Sequence, residues 1–496
     1  MSSQTLPAGE ARTRYAPSPT GLPHIGNIRT ALFSWLLARR LGGKFLLRIE
    51  DTDQTRLVEG AVAEQMRALR WLGVEWDEGP DKGGPVGPYT QSERLEIYRK
   101  HAAELIDRGA AYKCYCTPER LEKLRETQLE RGLPTGYDRR CRYLSAEDRA
   151  RYEADNAPYT VRFSAPREGA IEWRDLVFGD MKWECKVLED AILLKTSGWP
   201  TYHLAAIVDD HLMKISHVVR GEEWLPSAPM HLLIFKAFGW EPPLYAHTTS
   251  ILGTNRKKLS KRDAAAEFLN YERDGYLPEA VFNFVALLGW SPENPRDLYT
   301  RQEIIDQFGI EGLIGHPAIF DSDKLLWYNG VYIRALDKAE LAERCLPFLV
   351  KAGLVDENPS AERRAYIGEV IALEQERMKT LAEAPVLADF FLLGDDAYPY
   401  EEKGVAKWLK ADGAAQRLSA VRDLIAAQDA LTVESAESAV RAVIDRFEVK
   451  GGEVIHPVRV AITGRTTGPG LFETMAVLGK ERLLRRFERA LGVCGA

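Results

Sequence analysis

The chain has 496 residues, 45% of them hydrophobic and 28% charged, an ordinary globular balance spread over more than one domain. With 66 Lys and Arg against 73 Asp and Glu the net charge is −7, which argues weakly against a nucleic-acid binder yet leaves local basic patches open. No run approaches the roughly 20 apolar residues of a membrane span, and Met1–Arg12 lacks an apolar signal core, so a cytoplasmic protein is expected.

A short strand ending near Ala16 leads into Pro17-Ser18-Pro19-Thr20-Gly21, which forbids regular structure. Pro23 suits the first turn of a helix, and Ile25, Ile28, Leu32, Trp35 and Leu36 then recur at helical spacing. Gly42-Gly43 can end that helix. A helix N-terminus of this kind suits a phosphate, Gly26 lets a nucleotide lie against the backbone, and His24 can donate to a phosphate oxygen. Lys44–Ile49 reads as the next strand, with Glu50-Asp51-Thr52-Asp53 at its carboxyl end, where open α/β sheets bind ligands. Amphipathic helices are expected over Glu59–Leu72 and Gln91–Arg108, and this alternation predicts a doubly wound parallel sheet.

From Ala110 to Trp199 short strand-like runs alternate with charged loops, as in an α+β insertion. It carries Cys114-Tyr115-Cys116 and, after residues 117–140, Cys141, a thiol set that suits tetrahedral zinc. The six cysteines are otherwise scattered, which is no disulfide framework and fits a reducing compartment. Helix and strand then resume, with Tyr202 and Arg220 near element ends, and Tyr245–Leu252 reads as a last strand feeding Lys257-Lys258-Leu259-Ser260-Lys261-Arg262. That compact cationic loop can neutralise a triphosphate and follow its charge onto departing pyrophosphate. Beyond Ala264 helices dominate, and after Gly330 the pattern is helical throughout.

The pair His24-Ile25-Gly26-Asn27 and Lys258-Leu259-Ser260-Lys261-Arg262, with Arg14 to Gly21 and Arg48 to Asp53, resembles the signatures of class I aminoacyl-tRNA synthetases of the bacterial glutamyl branch. Asn27 stands where a second histidine is common, and Leu259 and Arg262 replace the usual methionine and serine. The resemblance implies a Rossmann-type doubly wound parallel sheet split by an α+β insertion and followed by an all-α anticodon-binding region. It divides the chain into a catalytic domain over 1–109 and 200–252, an acceptor-end insertion over 110–199, a stem-contact domain with the lysine loop over 253–329, and the helical region over 330–496.

The implied activity is ATP-dependent ligation of L-glutamate to tRNA(Glu), with Mg²⁺ accompanying ATP and the enzyme acting as a monomer. His24, Lys258 and Lys261 would be catalytic, and ATP would meet His24, Gly26, Asn27, Lys258, Leu259, Ser260, Lys261 and Arg262. Arg14, Ser18, Glu50, Tyr202 and Arg220 would hold glutamate, since two carboxylates and an ammonium call for forked cations and one carboxylate. Arg377 matches a position that reads the third anticodon base, and Pro469–Glu473 matches a nearby loop. The family's zinc site often takes its fourth ligand two residues after the last cysteine, here Tyr143; Tyr137 is the other candidate, as in a short paralogue. Two alternatives stay open: an enzyme that also loads tRNA(Gln) with glutamate, and a paralogue that glutamylates a modified tRNA base, although the latter lacks a helical extension.

Overall fold

The computed structural model describes residues 10–259 and 266–495, so the expectations for Ser260, Lys261 and Arg262 lie outside the described residues. The chain forms two compact units. One takes the described residues of Met1–Asn270 and Val281–Ser322; the other takes Tyr271–Ala280 and those of Asp323–Ala496.

The first unit begins with β1 (Arg12–Tyr15), α1 (Ile25–Arg40) and β2 (Lys44–Leu47). The two strands are parallel, Arg12 facing Lys44 and Tyr15 facing Leu47. The turn into β2 is tight because a Cβ on Gly43 would stand 2.0 Å from Ala11 O. Helix α1 is buried on nearly every side, from Ile25 and Ile28 to Leu36 and Leu37, as befits a helix packed between the sheet and further helices. It starts two residues later than Pro23 suggests. His24 is its N-cap, and His24 Nδ1 accepts the Gly26 N–H at 3.0 Å, so an imidazole does the work of the usual hydroxyl or carboxylate.

Helices α2 (Ala61–Leu72) and α3 (Leu95–Asp107) follow, the latter entered through a 3₁₀ turn at Gln91–Arg94. The expected insertion starts with β3 (Ala111–Cys114), α4 (Pro118–Glu130), α5 (Ala146–Ala154) and β4 (Thr160–Phe163). A hairpin of β5 (Ala170–Asp175) and β6 (Gly179–Glu184) comes next, then β7 (Ile192–Leu194). Strands β3, β4 and β7 make an antiparallel sheet.

After it come α6 (Tyr202–Leu212), β8 (His217–Gly221), α7 (Ala228–Phe238) and β9 (Leu244–Thr248). Strands β8 and β9 are parallel, and the Ser216 N–H donates to Arg12 O at 2.9 Å, which carries the layer across to β1. The hairpin is not a separate body. Asp175 pairs with Tyr245 in parallel register, so β5 extends the same layer as β8 and β9. Leu204, Ile207, Val208, Ile234, Phe235 and Phe238 form one core with Val161, Phe163 and Leu193 of the three-stranded sheet.

The strand expected over Tyr245–Leu252 is broken. It stops at Thr248, and Ile251–Leu252 pairs instead with Ala318–Ile319. Thr249 Oγ1 donates to His316 O at 2.9 Å and the Ser250 N–H donates to Glu222 Oε1 at 2.9 Å, which draws both residues off the ladder. The second unit is helical and has its own core, drawn from Leu277 and Ala280 and from residues between Ile333 and Ala490. There a helix runs over Ala361–Glu374, and the helical pattern expected after Gly330 is interrupted beyond it. Gln375 Nε2 donates to Ile333 O at 3.0 Å and Leu336 O at 2.9 Å, and a Thr380–Glu383 capping box starts the next turn. Arg377 therefore stands in a turn and not on a helix face.

Candidate functional site

The carboxyl ends of β1, β2 and β8 and the start of α1 open on one cavity of about 850 Å³. Arg14, Ser18, Glu50, Tyr202 and Arg220 line it, together with His24, Gly26, Asn27, Lys258 and Leu259. The early histidine turn and the described start of the lysine loop thus share a cleft, as an open α/β sheet dictates. Both flanks of residues 260–265 are tied to this place. Lys258 pairs with Leu252, and beyond the loop Glu267 pairs with His24 while the Phe268 N–H donates to Pro23 O at 3.0 Å.

One end of the cavity rests on a buried ion network. Asp210 Oδ1 accepts from Arg14 Nε at 3.2 Å and from Arg48 Nη1 at 2.7 Å, and Glu50 Oε1 accepts from Arg48 Nη2 at 2.8 Å. Behind it Asp209 accepts from Arg94 Nε at 2.7 Å, Gln91 Nε2 at 2.8 Å and Tyr98 OH at 2.8 Å. Arg14, Arg48 and Arg94 thereby balance Glu50, Asp209 and Asp210. Burial alone would raise the Asp210 carboxyl, but the charges of Arg14 and Arg48 overcome it and hold the group below its ordinary value. Glu50 goes the other way: burial raises it in spite of Arg48.

Arg220 is equally buried and differently partnered. Its Nε donates to His247 Nε2 at 2.9 Å, its Nη1 to His231 Nδ1 at 3.2 Å and to Tyr202 OH at 3.3 Å, and its Nη2 to Trp224 O at 3.3 Å. The guanidinium lies 4.8 Å from the Tyr245 ring centre. Since a guanidinium only donates, His247 must carry its proton on Nδ1, where Asp175 Oδ2 accepts it at 2.5 Å. By the same logic His231 keeps its proton on Nε2, facing His203 Nδ1 at 3.2 Å. Both imidazoles are held below their ordinary value, by burial first and then by the Arg220 charge, with Asp175 opposing at His247. His203, His231, His247 and Asp175 were not separable from fold residues in the sequence; an aspartate in one hairpin and a histidine far along the chain carry no local motif.

The three sulfur atoms of Cys114, Cys116 and Cys141 lie within 4.8 Å of one another. Tyr137 OH joins them, 3.3 Å from Cys114 Sγ and 3.8 Å from Cys116 Sγ, and accepts the Cys141 N–H at 3.0 Å. Tyr143, the first candidate for a fourth ligand, is 70% exposed and stands apart from the cluster. The peptide turns through a 3₁₀ turn at Arg140–Tyr143, which buries Cys141 and sends Tyr143 outward. Soft thiolates in this number and spacing fit zinc.

In the helical unit Arg377 Nη1 donates to Glu374 Oε2 at 2.6 Å. Arg459 stands close enough that the Arg377 charge helps burial lower its own pKa, and its Nη1 donates to Pro469 O at 2.7 Å. The Arg377 turn and Pro469–Gly470, which lead into a helix over Leu471–Leu478 where a loop was expected as far as Glu473, are thus neighbours. Among the described residues no helix is long and apolar enough to cross a membrane.

Comparison with known proteins gives matches along nearly the whole chain. The model of the class I tRNA synthetase catalytic domain for E and Q matches residues 10–327, and that of an anticodon binding domain matches residues 340–491. The glutamate–tRNA ligase of Moorella thermoacetica is 45% identical over 482 residues, covering 97% of this chain and 98% of that protein. The enzyme of the same name from Geobacillus stearothermophilus is 46% identical over 488 residues, covering 98% and 99%. Among solved structures, a glutamate tRNA ligase from Elizabethkingia meningosepticum, crystallised with its amino acid, is similar with a TM-score of 0.89 at 33% identity, covering 97% of this chain and 99% of that one.

Proposed function

The chain belongs to the class I glutamate–tRNA ligases, and from that premise we propose which of its residues perform the charging of tRNA(Glu). Glutamate lies at the Arg14–Glu50–Arg220 end of the cavity and ATP at the α1 end. Arg220 takes the side-chain carboxylate, helped by the Tyr202 hydroxyl; Arg14 and Ser18 hold the α-carboxylate end, and Glu50 faces the ammonium. The single observation that carries this is the partner set of Arg220, a buried cation whose hydrogen-bond partners are two imidazoles, a hydroxyl and a carbonyl. Among the described residues a cation so placed has no carboxylate within ion-pair distance, and glutamate brings an anion where glutamine brings a neutral amide.

The α-carboxylate of glutamate attacks the α-phosphorus of ATP, forming glutamyl-adenylate and releasing pyrophosphate. A hydroxyl of the terminal tRNA ribose then attacks the adenylate carbonyl, releasing AMP. The protein contributes alignment and charge stabilisation and no covalent intermediate. His24 leaves its Gly26 contact to donate to a phosphate oxygen, the α1 N-terminus faces the phosphates, and Lys258, with Lys261, follows the charge onto pyrophosphate. Mg²⁺ travels with ATP, held mainly by phosphate oxygens and water. The acceptor end approaches over residues 110–199, the lysine-loop domain over 253–329 meets the stem, and residues 330–496 grip the anticodon, where Arg377 reads the third base and excludes tRNA(Gln). The protein acts as a cytoplasmic monomer.

Cys114, Cys116, Cys141 and Tyr137 hold one structural zinc, a reading supported by the thiol spacing and by the tyrosine hydroxyl seated among the sulfurs. Zinc there ties β3 to the Arg140–Tyr143 turn. Purified protein is expected to carry one zinc per chain by metal analysis. Cys141→Ser is expected to lose it and to lower the unfolding midpoint; a metal-free wild-type protein with unchanged stability removes the site.

The deciding experiment is aminoacylation of tRNA(Glu) and tRNA(Gln) side by side, with pyrophosphate exchange as the measure of activation. Charging of tRNA(Glu) alone is expected. Equal charging of both ends the discriminating reading, and absence of glutamate-dependent exchange ends the assignment of the cavity.

A further inference from the structure

We propose that His247 and His231, fixed as neutral acceptors by Asp175 and His203, are positioning residues that hold Arg220 in its buried seat without neutralising it, and so set the preference for glutamate over glutamine. The inference rests on the reading of Arg220 as the side-chain receptor.

A buried guanidinium needs acceptors for its donors, or each unmet N–H costs free energy. The common solution is a carboxylate, as Asp210 provides for Arg14 and Arg48. A carboxylate beside Arg220 would satisfy the donors and also cancel the charge that attracts the substrate. Two imidazole lone pairs satisfy donors and leave the charge in place. For this each ring must present nitrogen without hydrogen to Arg220, and a lone histidine does not choose its tautomer. The second partner of each ring chooses it. Asp175 Oδ2 takes the His247 Nδ1–H at 2.5 Å, and His203 Nδ1 takes the His231 Nε2–H at 3.2 Å.

The supports come from separate parts of the chain. Asp175 ends the β5 strand of the hairpin, His247 lies on β9, His231 on α7 and His203 on α6. Asp175 is fixed in turn, since its Oδ1 accepts the N–H groups of Val177 and Phe178, both at 3.0 Å. The β5 hairpin, inside the expected acceptor-end insertion, therefore supplies a group that orients the amino-acid receptor. Asp175, His231 and His247 are each 1% exposed or less, so no solvent competes for the Asp175–His247 bond.

The test separates charge from shape. His247→Glu and His247→Gln are isosteric and differ by one charge, and both leave an acceptor near the Nε2 position. Pyrophosphate exchange is followed with saturating tRNA(Glu), varying glutamate, glutamine or ATP. His247→Glu is expected to raise the KM for glutamate at least tenfold and to lower the glutamate-over-glutamine ratio of kcat/KM, with the KM for ATP within twofold of wild type. His247→Gln is expected to stay within threefold for both substrates. Equal glutamate KM in the two variants, or a KM for ATP that rises in step, overturns the proposal. Should His247→Glu fail to fold, the His231→Asn and His231→Leu pair decides: asparagine keeps an acceptor near Nδ1 and leucine does not, so only leucine is expected to raise the glutamate KM, and equal values overturn the proposal. Arg220→Ala runs alongside. If it leaves the glutamate KM unchanged, the receptor reading itself falls; if it raises that KM while the histidine variants match one another, only the positioning role falls.

Discussion

Arg14 and Arg220 line one cavity, each 5% exposed, each near the carboxyl end of a parallel strand. Arg14 shares Asp210 with Arg48 inside a set of three cations and three carboxylates. Arg220 has two histidines, a tyrosine and a carbonyl, and among the described residues no carboxylate within ion-pair distance. Burial is therefore a poor guide to what a charge is for. A buried cation that is already matched divides its charge between its surroundings and any ligand it meets, whereas one matched only by neutral acceptors keeps the whole of it for an incoming anion.

The comparison breaks most visibly at Asp210. Asp210→Asn leaves three largely buried arginines facing two carboxylates. Loss of one partner from a buried ionic set costs about 3–5 kcal/mol, so a large drop in the urea midpoint is expected. A midpoint within error of wild type would mean that the network is not what holds this corner together. Arg220→Ala sharpens the same contrast from the other side. A charge-assisted contact contributes about 1.5–3 kcal/mol, or about 10- to 100-fold at about 1.4 kcal/mol per decade. That loss is expected in the KM for glutamate, with the KM for ATP nearly unchanged and a smaller drop in the urea midpoint than Asp210→Asn gives. A variant that loses stability and keeps its glutamate KM reverses the assignment.

The sequence made one half of this contrast readable. His24, Gly26 and Lys258 belong to runs whose local chemistry points at phosphate, and alternation of strand and helix brings such runs to one sheet edge. Arg14, Glu50 and Arg220 were readable as strand-end charges. Their partners were not. Asp175 and His247 are 72 residues apart, and only the parallel register of Asp175 with Tyr245 makes them neighbours. Boundaries failed where a side chain replaced a backbone partner: His24 delayed the start of α1, Thr249 and Ser250 cut the last strand, and Gln375 ended the helix before Arg377.

A third arginine extends the comparison with a smaller effect. Arg377 is paired with Glu374, whose carboxylate is fully buried while the guanidinium is 36% exposed. Burial raises the Glu374 carboxyl although Arg377 pulls it down. The pair fixes one edge of the guanidinium and leaves the rest toward solvent, which suits reading a base more than trapping an anion. Screening at such an exposed site keeps the effect to about 1 kcal/mol. Arg377→Gln is expected to raise the KM for tRNA(Glu) several-fold and to leave the glutamate KM alone. A change in the glutamate KM, with that for tRNA intact, would show that the anticodon reading is misplaced.

Acid titration gives the smallest effect and reads the neutral imidazoles directly. His203, His231 and His247 all have folded values below the ordinary 6.5, each by burial first and then by the charge of Arg220, with Asp175 opposing at His247. Their unfolded forms therefore take up protons before the folded forms do. Where the unfolded chain binds more protons, stability rises with pH, so these groups contribute fully above about pH 6.5 and lose their contribution as pH falls toward the lower folded values. Asp175 and Asp210 are also held low and weaken the fold further, but only in stronger acid. The urea midpoint is expected to be flat above pH 6.5 and to decline below it, with His231→Asn flattening part of that decline. A midpoint that rises on mild acidification would mean the folded protein welcomes the proton. Arg220 would then face imidazolium and not imidazole, and its difference from Arg14 would disappear.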